Sequence, residues 1–150
     1  MLTGVVMFTG VLISWGIDDR PREFFAFLFI LATGVFGVFV ALDLFMLFFF
    51  YEIAVFPMYL LISIWGWQVT REYAAMKLVL FLSAFAVAAL MGILLIYKYA
   101  GLNTFDILVL REQAKLMNIP VLGTTLDKII WVLIFFGFAS IAPLWPLHSW

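Results

Sequence analysis

Charged side chains in this chain fall into a few short intervals. The runs between them approach the roughly 20 apolar residues that an α-helix needs to cross a bilayer. The first run, residues 2–17, ends in Asp18-Asp19-Arg20-Pro21-Arg22-Glu23, an aqueous turn where the proline is expected to stop a helix. The second, residues 24–42, carries Gly34 and Gly37, small residues that allow close helix contact. Asp43 marks a tight turn into the third, residues 44–66, whose one interior charge is Glu52. The fourth, residues 73–97, follows a polar loop at 67–72 and holds Lys77 within its first two turns. Residues 98–125 form a long extramembrane loop with turn chemistry at Asn103-Thr104-Phe105-Asp106, Asn118-Ile119-Pro120 and Gly123-Thr124-Thr125. Within it a short interfacial helix is expected over 111–117 and a short strand over 119–122. The fifth run, residues 126–142, has Asp127 at the positive end of its helix dipole and is interrupted by Pro143 and Pro146. The pattern predicts an all-α membrane protein, a single transmembrane unit of about five helices, the last broken near Pro143.

Composition removes a soluble alternative. Hydrophobic residues make up 67% and charged residues 11%, against roughly 45–50% and about 25% in ordinary globular chains. Too few polar side chains exist to cover the surface that a chain this small exposes, so the solvent is mostly lipid. A net charge of −1 without a basic tract excludes nucleic acid as a partner. The absence of cysteine excludes disulfides, thiolate metal sites and iron–sulfur ligation by this chain. One histidine, His148, cannot build a His-rich metal centre, so redox chemistry belongs to other subunits. Met1-Leu2-Thr3-Gly4 has neither the charged region nor the cleavage site of a signal peptide. The arginines of the 17–23 and 67–72 loops, which are expected on one face, favour that face as cytoplasmic.

Glu52 is the leading candidate for chemistry. It follows Asp43 by nine residues, about 14 Å into the bilayer at the rise of an α-helix. Its helical neighbours Phe48, Val55, Phe56 and Tyr59 offer almost no hydrogen bonds. A carboxylate there is costly, and a group so placed is suited to loading and unloading a proton. Pro57 deprives the Ile53 carbonyl of its usual donor, leaving an acceptor for water beside the acid. The plainer alternative is a glutamate tied to a neighbouring helix for packing specificity. Lys77 is the natural partner: a lysine that approaches and leaves a buried acid switches its proton affinity. It can equally snorkel to the headgroups. Asp43, Arg71, Glu72, Asp127 and Lys128 read as helix-end charges or interfacial anchors. Ser63, Ser83 and Ser140 read as backbone-bonded hydroxyls or packing contacts rather than proton relays. His148 either caps the interrupted fifth helix or passes protons between membrane and water.

The block Asp43-Leu-Phe-Met-Leu-Phe-Phe-Phe-Tyr-Glu52-Ile-Ala-Val-Phe-Pro57-Met-Tyr-Leu-Leu-Ile-Ser-Ile-Trp-Gly66 resembles the glutamate-bearing helix of the antiporter-like subunit M (chain 4) of NADH:quinone oxidoreductase, respiratory complex I. Arg71-Glu-Tyr-Ala-Ala-Met-Lys77 and Pro143-Leu-Trp-Pro-Leu-His-Ser-Trp150 resemble the next helix start and a Pro-rich His-Trp motif of that family. The resemblance implies a fragment of a fourteen-helix proton-pumping subunit built from two inverted five-helix repeats, of which this chain holds part of the first. It further implies that Glu52 is the charge-coupling acid of a half-channel with Lys77 near it. No cofactor would sit on this chain; flavin and iron–sulfur clusters would belong to partner subunits. Partners would be other membrane subunits of complex I, neighbouring antiporter-like subunits among them. The bacterial plasma membrane is favoured over the mitochondrial inner membrane. The sequence departs from the family at Ile141, where the family carries a lysine; with that cation missing, Lys77 is expected to face Glu52, and the Ser140–Pro143 break to be hydrated.

Three functions follow as expectations. The first is a non-redox, proton-translocating subunit of NADH:quinone oxidoreductase, that is, a translocase subunit coupled to quinone reduction elsewhere. The second is a subunit of a cation/proton antiporter or of a membrane-bound hydrogenase of the same fold. The third is a scaffold that holds its neighbours in register.

Overall fold

The computed structural model describes residues 1–115, 125–142 and 144–150. Their architecture is all-helical, as the apolar runs predict. The order is α1 (Leu2–Ile13, prolonged by a 3-10 turn at Ser14–Gly16), α2 (Pro21–Val40), α3 (Leu44–Trp65), α4 (Arg71–Tyr99), α5 (Ile107–Lys115) and α6 (Thr125–Ala139). Among the described residues there is no strand, only an isolated antiparallel bridge between Asp43 and Asp106. Helices α2, α3 and α4, of 20, 22 and 29 residues, are long and apolar enough to cross a membrane. Helices α1 and α6 take the first and fifth places, but at 12 and 15 residues they are shorter than a full crossing. Three of the five expected spans therefore reach full length.

The boundaries differ from the charge pattern for local reasons. Pro21 opens α2 instead of stopping a helix, because a proline's fixed φ and missing N–H suit the first helical position. The chain enters that helix through Arg20 at a φ of 48°. Helix α4 takes Arg71 and Glu72 into its first turn, where an acid suits the helix dipole. Helix α5 begins four residues earlier than the expected 111, because Asp106 caps it. Helix α6 ends at Ala139 rather than near 142. The expected strand at 119–122, the last residues of the expected 111–117 helix, and Pro143 itself lie outside the described residues.

The chain divides into two compact units, residues 1–40 with 49–79 and residues 41–48 with 80–150. In the first, α2 meets α3 along its glycines. A Cβ added at Gly34 would lie 2.9 Å from that of Ala54, and one at Gly37 would collide with the Phe50 ring. Small residues let these backbones approach, which matters in lipid, where apolar side chains gain little by leaving their solvent. The same unit ties its polar loops together. The Trp65 indole donates to the Asp19 carbonyl at 2.8 Å, Arg20 lies 5.5 Å over the Trp65 ring, and Phe24 meets that ring edge-on. Arg71 donates to the Ile64 carbonyl at 3.1 Å, so the 17–23 and 67–72 loops share one end of the unit, as expected.

In the second unit α4 packs on α6 through a seam the sequence reading did not single out. Leu82, Ala86, Ala89 and Ile93 form a buried stripe on α4. A Cβ on Gly137 would stand 2.5 Å from that of Ala89, and one on Gly92 would stand 2.5 Å from Ile134. Beyond α6, Ser140 is fully buried. Its hydroxyl donates to the Gly137 carbonyl at 2.8 Å, and its own carbonyl accepts the Trp150 indole N–H at 2.6 Å. That acceptor, freed where the helix stops, is met by the Trp150 side chain.

Candidate functional site

Helix α3 is built to carry an acid within an apolar span. Asp43 starts it: one carboxylate oxygen accepts the amides of Phe45 at 2.9 Å and Met46 at 3.0 Å, the bonding of an N-cap. From that cap the helix runs unbroken past Glu52 to Trp65 with Pro57 inside it. Tyr51, Ala54, Val55 and Pro57 are buried, whereas Phe56 is 64% exposed. Glu52 lies at the margin of the buried face and is itself half-buried.

One carboxylate oxygen of Glu52, Oε1, is enclosed and has no hydrogen-bond partner among the described residues. An enclosed carboxylate oxygen without a donor is costly in the charged form, since each unmet polar group away from water loses its hydration without compensation. The helix offers no remedy, because its own amides are engaged and its neighbours are aromatic or aliphatic. Pro57 adds an acceptor, the Ile53 carbonyl, and no donor. Among the described residues no ion pair holds this oxygen either.

Lys77 is half-buried on α4, in the same unit as Glu52, and no salt bridge joins the two. The Lys77 ammonium is thus not locked onto the acid in this conformation. His148 is exposed in the turn that follows α6. The helix-end charges stand where the sequence put them: Asp43 caps α3, Arg71 and Glu72 open α4, and Asp127 and Lys128 lie in the first turn of α6. Ser63 donates to the Leu60 carbonyl at 3.1 Å and Ser140 is backbone-bonded, while Ser83 is exposed. The sequence reading missed Asp106 as a second cap. Its Oδ1 accepts the amides of Leu108 at 2.8 Å and Val109 at 3.3 Å. The signal was present, since Asp106 precedes Ile-Leu-Val-Leu much as Asp43 precedes Leu-Phe-Met-Leu.

These features define a polytopic α-helical membrane protein with an ionisable side chain set inside a proline-bearing span. Residues 41–150 match the family model described as NADH:quinone oxidoreductase/Mrp antiporter, TM, and the chain belongs to that family. It is 33% identical over its full length to NAD(P)H-quinone oxidoreductase chain 4-2 of Synechocystis sp., covering 25% of that protein. It is 36% identical, again over its full length, to NADH-quinone oxidoreductase subunit M of Rhodobacter capsulatus, covering 30% of it. A similar protein from Nostoc sp., NAD(P)H-quinone oxidoreductase chain 4-3, is 33% identical with 25% covered. The chain thus spans about a quarter of the length of the curated relatives it matches. The expected resemblance to chain 4/subunit M holds.

Proposed function

We propose that this chain is part of a proton-translocating subunit of NADH:quinone oxidoreductase, with Glu52 as its proton-carrying group. The observation that supports this most directly is the enclosed Oε1 of Glu52, which meets no donor on a membrane-spanning helix. An intramembrane acid is rare and usually functional. The family's description also covers antiporters, but the relatives named above are quinone oxidoreductase chains, which favours the first reading. In this reading the chain does no redox chemistry. Flavin and iron–sulfur clusters sit on partner subunits, and energy reaches Glu52 as movement of nearby charge.

Lys77 is the mobile counter-charge of the proposal. Approach of its ammonium stabilises the carboxylate, and withdrawal returns the proton. His148, exposed beyond α6, serves as a proton exchanger at the water boundary. The membrane in this reading is a bacterial plasma membrane rather than a mitochondrial inner membrane. The test is Glu52→Gln in the complete complex reconstituted into vesicles. Proton pumping is expected to be lost while NADH oxidation persists; normal pumping would remove Glu52 from the mechanism. Sodium-driven proton exchange without NADH would favour the antiporter reading instead.

A further inference from the structure

Within the second unit, α4 and α6 run antiparallel and leave a groove beside their seam. Ala89 meets Gly137 and Gly92 meets Ile134, so three residues forward on α4 match three residues back on α6. Two further steps of that register set Lys98 level with Lys128. The groove lies near this end, lined by Ile96, Asp127, Ile130, Trp131, Ile134 and Phe135. Its volume is about 320 Å³, inside the roughly 300–1,000 Å³ of small-molecule sites. One carboxyl apart, every lining side chain is apolar or aromatic. Trp131 and Phe135 stack along it, with centroids 4.8 Å apart and planes 10° from parallel. They are 61% and 43% exposed, an aromatic surface that an apolar chain would cover.

The polar end of the groove carries both signs of charge. Asp127 is half-buried there, and Lys128 is exposed in the same turn of α6. Lys128, Trp131 and Phe135 follow at i, i+3 and i+7, so the lysine stands on the side of the aromatic stack. Among the described residues no salt bridge engages Lys128. The Asp127 carboxylate makes a contact of its own, and its two oxygens have acceptor positions enough to take an ammonium as well. Trp131, with Tyr97 and Tyr99 at the end of α4, marks this level as the membrane–water boundary, where such rings collect. Charge of both signs at the boundary above an apolar groove is the profile of a phospholipid, headgroup over chain.

We propose that this groove binds a phospholipid with a primary-amine headgroup, phosphatidylethanolamine. Lys128 holds its phosphate, Asp127 accepts its ammonium, and one acyl chain lies along Ile130, Ile134 and the Trp131–Phe135 stack. The charges choose among headgroups. A phosphate and an ammonium two carbons apart match a lysine and an aspartate that are neighbours in the chain. A quaternary ammonium has no N–H to give Asp127, and a glycerol headgroup brings it no cation, so both satisfy Lys128 alone. Lys98 supplies an internal comparison. It has the same charge at the same level, with its ammonium 5.5 Å over the Tyr99 ring. It follows Ile96 by two residues, however, which puts it about 200° round α4 from the groove.

The test uses the full-length protein in its purified membrane assembly, placed in vesicles that contain one photoreactive lipid. The probes are phosphatidylethanolamine, phosphatidylcholine and phosphatidylglycerol, each with the same diazirine-bearing acyl chain. After illumination, labelled peptides are mapped by mass spectrometry. Phosphatidylethanolamine is expected to label residues 130–135 at least about threefold more than the other two, the scale of a partly shielded charge pair. Asp127→Asn is expected to lower that labelling to the phosphatidylcholine level. Lys128→Gln is expected to lower labelling by all three lipids, and Lys98→Gln to leave it unchanged. If Asp127→Asn does not assemble, N-methylated phosphatidylethanolamines put the same question to the unaltered protein, and labelling is expected to fall as methyl groups replace N–H donors. Equal labelling by the three lipids, as in an ordinary lipid annulus, overturns the proposal. So does a preference for phosphatidylglycerol, which marks a site for anionic lipid, or an equal effect of Lys98→Gln and Lys128→Gln. Absence of label at 130–135 from every probe also overturns it, and shows that another part of the assembly covers the groove.

Discussion

Glu52 and Ser140 show two answers to the same difficulty, a polar group enclosed where water is scarce. Ser140 is satisfied on both sides, its hydroxyl by the Gly137 carbonyl and its carbonyl by the Trp150 indole. Glu52 Oε1 is left open. A satisfied group rigidifies its surroundings, and an unsatisfied one is costly to keep enclosed. Trp150→Phe keeps the ring and removes the donor, so it is expected to cost about 1–3 kcal/mol, the penalty of one stranded buried acceptor. Equilibrium unfolding in detergent checks this. Trp65→Phe, which strands the more exposed Asp19 carbonyl, is expected to cost less, about 0.5–1.5 kcal/mol by the same measurement. The aspartate at Asp43, the acid at Glu52 and the proline at Pro57 were all legible in the sequence, because each is a polar or backbone-breaking residue in an apolar run. The role of Asp106 was not, because a cap in a long polar loop looks like any other turn residue.

Among the elements, the contacts that hold α2 to α3 and α4 to α6 are made by the smallest side chains. Gly34 and Gly137 sit where an added Cβ would strike Ala54 and Ala89. Gly34→Ala and Gly137→Ala are each expected to destabilise by about 1–3 kcal/mol, the usual result of overpacking. Gly4 and Gly10 on α1 have open space around their Cβ positions. Gly4→Ala should therefore stay within about 0.5 kcal/mol or stabilise slightly through helix propensity. Parallel unfolding of the three variants distinguishes a packing role from a general intolerance of alanine. The Gly34–Gly37 pair could be read from its spacing. The α4–α6 seam could not, because alanine and glycine in a long apolar helix mark many faces, and only the partner selects one.

For the whole molecule, the apolar runs and the shared end of the 17–23 and 67–72 loops make a topological prediction. The chain contains no cysteine, so single cysteines introduced at Asp19, Gln68 and Asn103 can each be tested alone. An impermeant thiol reagent is expected to reach the first two from the same side, the cytoplasmic one by the arginine density, and Asn103 from the other. Labelling of Asp19 and Gln68 from opposite sides would contradict the hydrogen bonds that Trp65 and Arg71 make at that end. What the sequence determined alone is the membrane class, the helical content, the approximate places of the spans and the one acid set inside an apolar run. These follow from hydrophobic length and from the cost of burying charge, which depend on residue type and little on neighbours. Tertiary structure decided the rest: where α4 and α6 begin and end, which glycines face a partner, that Trp150 meets Ser140, and that Asp43 and Asp106 share one joint. Each of those depends on two segments distant in the chain arriving at one point, where directional hydrogen bonds and close packing choose among arrangements that the linear pattern leaves equal.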